Sequence, residues 1–197
     1  MEFEDLWRRR RMYRSFTGDP LDLTRVSELV AESLRAPTAG NCAGVRATVV
    51  GPERLGEFLL AATDEEWRMH SRRLEGLSRA GAVVIFSSLP EVYAARYRES
   101  DKADSGLGDV AAWPVPYWHT DAAMATLGCA LLCENEGWGV ALWGAFRHAE
   151  ALHRFAHLEN EEIFATLFVG IPDHRDPPSS SLARTVPTRA QRVRRLD

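Results

Sequence analysis

The strongest chemical bias in the chain lies near its N-terminus, where Arg8-Arg9-Arg10-Arg11-Met12-Tyr13-Arg14-Ser15-Phe16 places five arginines in nine positions. Arginine offers a rigid fork of donors that matches phosphate oxygens. Convergent arginines are therefore what a group carrying roughly −1.5 to −2 charges requires. Arg10 and Arg14 would share a face on a helix and could converge equally well on a turn. The same cluster could be a solvated basic patch, or it could contact nucleic acid. The whole chain argues against the last, because 24 basic and 28 acidic residues leave a net charge of −4, not the positive excess of a general nucleic-acid binder. Lys102 is the only lysine, so most of the arginine excess reads as a coding bias.

Two further segments could contact a ligand. Ala36-Pro37-Thr38-Ala39-Gly40-Asn41 is a run of small residues whose backbone can approach a flat molecule closely, with Thr38 and Asn41 supplying polar groups. Trp143-Gly144-Ala145 stands at the carboxyl end of an apolar run, where layered sheets often place ligands. Taken alone, the first segment reads only as a helix stop and the second only as a strand end. Cys129 and Cys133 are expected to be buried fillers, and three cysteines make a disulfide framework unexpected. Cys42 lies among small loop residues. His153 and His157 would share a helix face, but no carboxylate or cysteine pattern completes a zinc site around them. The sequence contains no H-E-x-x-H, C-x-x-C, G-x-S-x-G or G-x-x-x-x-G-K-[ST] motif.

The elements that must position these residues follow from hydrophobic spacing. Leu23, Val26, Leu29, Val30, Ser33 and Leu34 form one helical stripe, stopped by Pro37. Residues 47–50 and 82–86 read as buried strands. Between them, Pro52 opens a helix whose inner face is Leu55, Phe58, Leu59 and Ala62, and a charged helical stretch runs from Glu65 to Ser78. Residues 99–118 form a long polar loop of the kind that is usually functional or mobile. His119 to Trp138 is apolar around most of its circumference, the mark of a helix buried on all sides, and a second copy of the chain is one way to bury it. Strands at 140–143 and 163–170 complete the sheet, with a helix from His148 to His157 between them. The segment 172–197 carries prolines and arginines and is expected to wrap over the rest as a basic tail. This order indicates one α+β layered domain over 1–197. No run reaches the roughly 18 apolar residues of a membrane span, and the N-terminus lacks an apolar signal core; a cytoplasmic protein without membrane or nucleic-acid partners is expected.

Taken in order, these segments resemble the FMN-dependent nitroreductase family. Arg10, Arg11, Met12, Tyr13, Arg14, Ser15 and Phe16 match its R-R-x-x-R-x-F opening, and Ala36 to Asn41 match its A-P-S-x-x-N loop. Asp121 to Trp143 is similar to its long apolar helix running into a G-x-G and a strand, and Gly170-Ile171-Pro172 to its late G-x-P. Ala43-Gly44-Val45 stand where the family usually has Gln-Pro-Trp, and Met12 replaces a common serine. The segment Trp113 to Trp118 looks like a sub-branch from high-GC bacteria.

The resemblance implies a central mixed sheet flanked by helices, in a homodimer that holds FMN between subunits. It implies that Arg10 and Arg184 meet the FMN phosphate, that Arg11 and Met12 lie along the ribityl chain, and that Arg14 stands near N1 and O2 of the ring. Pro37, Thr38, Ala39 and Asn41 would reach the ring from the other subunit, while Trp143 and Gly144 would face its N5 and O4 edge. The substrate pocket would be rimmed by Trp113, Tyr117 and Trp118. The implied activity is ping-pong hydride transfer from NAD(P)H through FMN to a nitroaromatic, quinone or related small molecule, with no catalytic side chain beyond Arg14 supporting the reduced flavin. A flavin-dependent oxidase or dehydrogenase of a specific metabolite is the related alternative, and a nucleic-acid-binding regulator the unrelated one.

Overall fold

A computed structural model describes residues 2–144, 147–176 and 179–196. Ala145, together with Pro177 and Pro178 of the tail, lies outside the described residues. The elements run α1 (Phe3–Arg9), α2 (Leu23–Ser33), β1 (Val45–Val50), α3 (Leu55–Ala62), α4 (Glu65–His70), α5 (Leu74–Leu77), β2 (Ala82–Ser88), α6 (Pro90–Tyr97), α7 (Tyr117–Asn135), β3 (Gly139–Trp143), α8 (Ala149–Ala156) and β4 (Glu162–Gly170).

The strands form one sheet in the order β1-β2-β4-β3. Every position of β2 is buried, as a central strand with both faces covered requires. Alternation along β2 divides the core in two. Val84 and Phe86 join Val26, Leu29, Ala125 and Cys129 in the layer under α2 and α7. Val83 and Ile85 join Phe58, Leu59 and Leu152 in the layer under α3 and α8. Cys129 and Cys133 are the buried fillers that their apolar surroundings suggest.

The expected mixed sheet needs a correction in detail: all three strand pairings are antiparallel. Among the described residues the parallel component is a single pairing of Met12, which belongs to no strand, with Val140 of β3. There the N-terminal segment runs along the sheet edge, with Tyr13 N–H donating to Val140 O at 2.8 Å and Thr17 N–H to Ile171 O at 2.9 Å. Phe16 is fully buried at the end of this edge. Two glycines permit the approach. A Cβ on Gly139 would stand 2.8 Å from the Tyr13 ring, and one on Gly170 would stand 2.8 Å from the Phe16 ring.

Three other expectations change. The charged stretch 65–78 is broken into α4 and α5, because Ser71 adopts an extended backbone (φ −78°, ψ 115°). Helices α1 and α6 were not anticipated; α6 begins with Pro90 in the first turn, a recognised helix start. Finally, α7 is not buried on all sides of one chain. Met124 and Leu127 are each 40% exposed.

Candidate functional site

The N-terminal edge segment and the chain beyond β4 converge on a cavity of about 390 Å³. Arg10, Arg11, Met12 and Arg14 line it from one side. His174, Asp176, Ser179, Ser181 and Leu182 line it from the other, although they lie more than 150 residues away in sequence. The edge pairing explains why the arginines face this space. Met12 is fixed by its pairing with Val140 and by a contact of Leu142 N–H with its Sδ at 3.3 Å. Arg14 is fixed by Asp176, whose Oδ2 accepts the Arg14 backbone N–H at 3.2 Å and lies 3.5 Å from the guanidinium. Arg11 stacks over the Tyr13 ring at 4.7 Å and approaches His174 Nδ1 at 3.5 Å.

The lining carries Arg10, Arg11 and Arg14 against the single carboxylate of Asp176, so it attracts anions. Ser179 and Ser181 add hydroxyls to the lining. Beneath it, on α7, Glu134 is buried. Burial pushes its carboxyl up, and Arg9, Arg10 and Arg11 oppose that rise. Arg184 is exposed and is not among the residues lining the cavity, although Ser181 and Leu182 of the same segment are.

Trp143 and Gly144 belong to a second cavity of about 360 Å³, shared with Thr63, Asp64, Trp67, Arg147 and His148. Trp67 stacks on Trp143 with ring centroids 5.3 Å apart. Asp64 accepts the Trp67 backbone N–H at 2.7 Å. That bond, helped by His148 and Arg147, holds its carboxyl below the usual range. Sequence reading missed Trp67 and His148. An N-cap Asp three residues before a Trp was the available signal.

The 37–41 loop lines neither cavity within one chain. It is held from two helices: Ala39 N–H donates to Asp121 Oδ2 at 2.8 Å, and Arg96 Nε to Gly40 O at 2.9 Å. Gly40 (φ 64°) and Asn41 (φ 54°) take left-handed backbone angles. Neighbouring Cys42 is half-buried, and burial pushes its thiol up. Trp113 and Trp118 are buried with Tyr93 in an aromatic cluster, and their indole N–H groups donate to Leu107 O and Glu162 Oε2. Of the expected pocket rim only Tyr117 is exposed, at 45%. No group of three or more His, Cys, Asp or Glu residues that could hold a metal ion occurs among the described residues. No helix among them is long and apolar enough to cross a membrane.

No curated protein sequence matches the chain. Solved structures share its fold. A nitroreductase-like protein from Streptococcus mutans superposes with a TM-score of 0.73 at 13% identity, covering 99% of this chain and 98% of its own. A nitroreductase family protein from Streptococcus pneumoniae gives 0.70 at 17% identity, covering 94% and 96%. A provisionally named NAD(P)H:FMN oxidoreductase from Staphylococcus epidermidis gives 0.70 at 13% identity, covering 99% and 95%. The sequence profile of the nitroreductase family matches residues 7–171, a span that takes in the arginine edge segment, the 36–41 loop and all four strands. The chain belongs to the nitroreductase family.

Proposed function

We propose that this protein is an FMN-dependent oxidoreductase that takes electrons from NAD(P)H and passes them, by ping-pong transfer, to a nitroaromatic, quinone or related small molecule. The observation that carries this reading is the convergence of Arg10, Arg11, Met12 and Arg14 with Ser179, Ser181 and Leu182 around one cationic cavity. Its volume of about 390 Å³ lies in the usual range of small-molecule sites, about 300–1,000 Å³. Its donors suit a phosphorylated ligand. The residues present therefore fit FMN, with Arg10 and the two serines toward the phosphate and Arg14 toward the ring.

Bound FMN supplies hydride acceptance and donation. The chain's own part is to bind, orient and stabilise charge. Arg14, fixed by Asp176, offers a preorganised cation where reduction places negative charge. The stacked Trp67 and Trp143 border the second cavity with flat apolar surface. No acid or base is required among the side chains.

The reading includes a homodimer. Phe3, Trp7, Met124, Leu127 and Leu142 are all at least 40% exposed. Trp7, Leu127 and Leu142 line an apolar cavity of about 330 Å³ that shares Arg10 and Met12 with the arginine cavity. Apolar surface continuous with a ligand cradle favours a second copy over it. A second copy would also bring in the 37–41 loop, which does not reach the cradle of its own chain. The name of the Staphylococcus epidermidis structure, which includes NAD(P)H and FMN, agrees with the cofactors proposed.

The visible spectrum of the purified protein tests this function. Flavin absorbance, retained or restored by reconstitution with FMN and bleached by NADH or NADPH, is expected. A colourless protein that cannot be reconstituted would overturn the reading.

A further inference from the structure

A smaller cavity, of about 200 Å³, adjoins the cradle and shares Arg14, Ser15 and Asp176 with it. Its remaining walls are Arg72, Arg73, Glu75, Gly76, Arg79 and Arg175. Five arginines thus line one small space. Three have carboxylate partners: Arg14 lies 3.5 Å from Asp176, Arg79 lies 2.5 Å from Glu75, and Arg175 lies 3.1 Å from Asp173. Arg72 and Arg73 make no ion pair among the described residues.

The fold brings these two arginines here for a definite reason. They sit in the bend between α4 and α5, where Ser71 Oγ accepts the Arg73 backbone N–H at 3.2 Å and Arg73 O caps α5 by accepting Leu77 N–H at 2.9 Å. Helix α5 then lies directly on the edge segment. A Cβ on Gly76 would stand 2.4 Å from Arg14 O, and Phe16 N–H donates to Gly76 O. Only glycine allows that approach, and the approach holds the Arg72-Arg73 bend beside Arg14.

Like charges crowded without counter-charge are unfavourable unless an anion completes them, and adjacent guanidiniums suit a bidentate phosphate. We propose that this pocket takes the phosphate group of a reactant that meets the flavin, with Arg72 and Arg73 as its principal ligands. The inference rests on the proposed flavin function, because the pocket's value to catalysis is its shared wall with the cradle. Two sources would present the same chemistry: the pyrophosphate of a reduced nicotinamide dinucleotide, or a phosphorylated second substrate.

The test is the double variant R72Q/R73Q in the FMN-loaded protein. Calorimetric titration with inorganic pyrophosphate should show binding weakened by at least about tenfold, as expected when charge-assisted bonds are lost. The FMN dissociation constant should stay within about twofold. In stopped-flow reduction, a dinucleotide source predicts a half-saturating NADH or NADPH concentration raised by about tenfold, while that of the phosphate-free donor 1-benzyl-1,4-dihydronicotinamide is unchanged. A phosphorylated second substrate predicts the same contrast in reoxidation by 4-nitrophenyl phosphate against nitrobenzene. Equal pyrophosphate binding in wild type and variant overturns the proposal, as does loss of FMN affinity in step with pyrophosphate affinity, which would make the arginines part of the cradle. So does an unchanged response to both phosphate-bearing reactants. If the protein takes up no FMN, the proposed function fails by itself. The pyrophosphate titration of the colourless protein then still decides whether Arg72 and Arg73 form a phosphate site.

Discussion

The Tyr93 hydroxyl on α6 donates to Asp121 Oδ2 on α7 at 2.9 Å, and the same oxygen accepts the Ala39 backbone N–H at 2.8 Å. Tyr93 is fully buried and Asp121 is 1% exposed. One carboxylate therefore ties together two helices and the loop proposed to meet the flavin. Burial, with the Asp121 bond second, pushes the Tyr93 phenol above its ordinary range.

Removing the two partners should have unequal effects. Tyr93→Phe takes away one donor and leaves Asp121 bonded to Ala39, so a loss of about 1–2 kcal/mol is expected. Asp121→Ala strands both the phenol and the Ala39 amide, and a loss of about 2–5 kcal/mol is expected. Urea unfolding measures both. A larger loss for Tyr93→Phe than for Asp121→Ala would contradict the network.

Acid should weaken the edge through Asp173, whose side chain is 5% exposed. Its carboxylate accepts from Ser15 Oγ at 2.6 Å and from the Arg175 amide at 2.9 Å. Burial pushes the carboxyl up, but Ser15 and the Arg175 amide and guanidinium outweigh that and hold it below its ordinary value. A depressed folded value stabilises fully above the unfolded value of about 3.9, and that stability is lost as pH falls through the folded value. The melting-temperature gap between wild type and Asp173→Asn should therefore be widest at neutral pH and narrow progressively as the pH falls below about 3.9. A gap independent of pH would exclude this role.

FMN retention should distinguish adjacent arginines. Arg10 lines the cradle and Arg9 does not. Arg10→Ala is expected to raise the FMN dissociation constant by roughly tenfold or more, as for loss of a charge-assisted bond to phosphate, and Arg9→Ala by much less. Equal effects in a fluorescence titration would show that the register is wrong.

Association should depend on the exposed side of α7. Leu127, 40% exposed, can be replaced by Asp with an effect on folding of only about 0.5 kcal/mol. Sedimentation velocity should then show a dimer converted to monomer. A wild-type protein that sediments as a monomer at micromolar concentration would refute the homodimer.

How much was legible in the sequence varies by element. The Leu23–Ser33 helix and strands β2 and β4 could be read because apolar spacing is a local property, set by 3.6-residue or 2-residue repeats. Helix α1 is hidden in the sequence because its arginines open a charge run, although arginine is a good helix former. The break at Ser71 was equally hidden, because no Gly or Pro marks it. At the site, Arg10, Arg11, Met12 and Arg14 were legible as a motif, whereas Trp67, His148, Arg72 and Arg73 were not. Trp113 and Trp118 were expected to rim a pocket, yet the Tyr93 cluster buries them, since large aromatic surface is more stable packed than solvated.

The sequence by itself determined the family, the layered α+β class and the cationic character of the N-terminal segment, because residue type and near-neighbour spacing carry all three. Only the tertiary structure decided which arginines share a space. Arg14 meets Asp176 across 162 residues, and Arg72 and Arg73 stand beside it because Gly76 lets α5 settle on the edge segment. Such convergence depends on close packing between distant parts of the chain, and no local pattern encodes it.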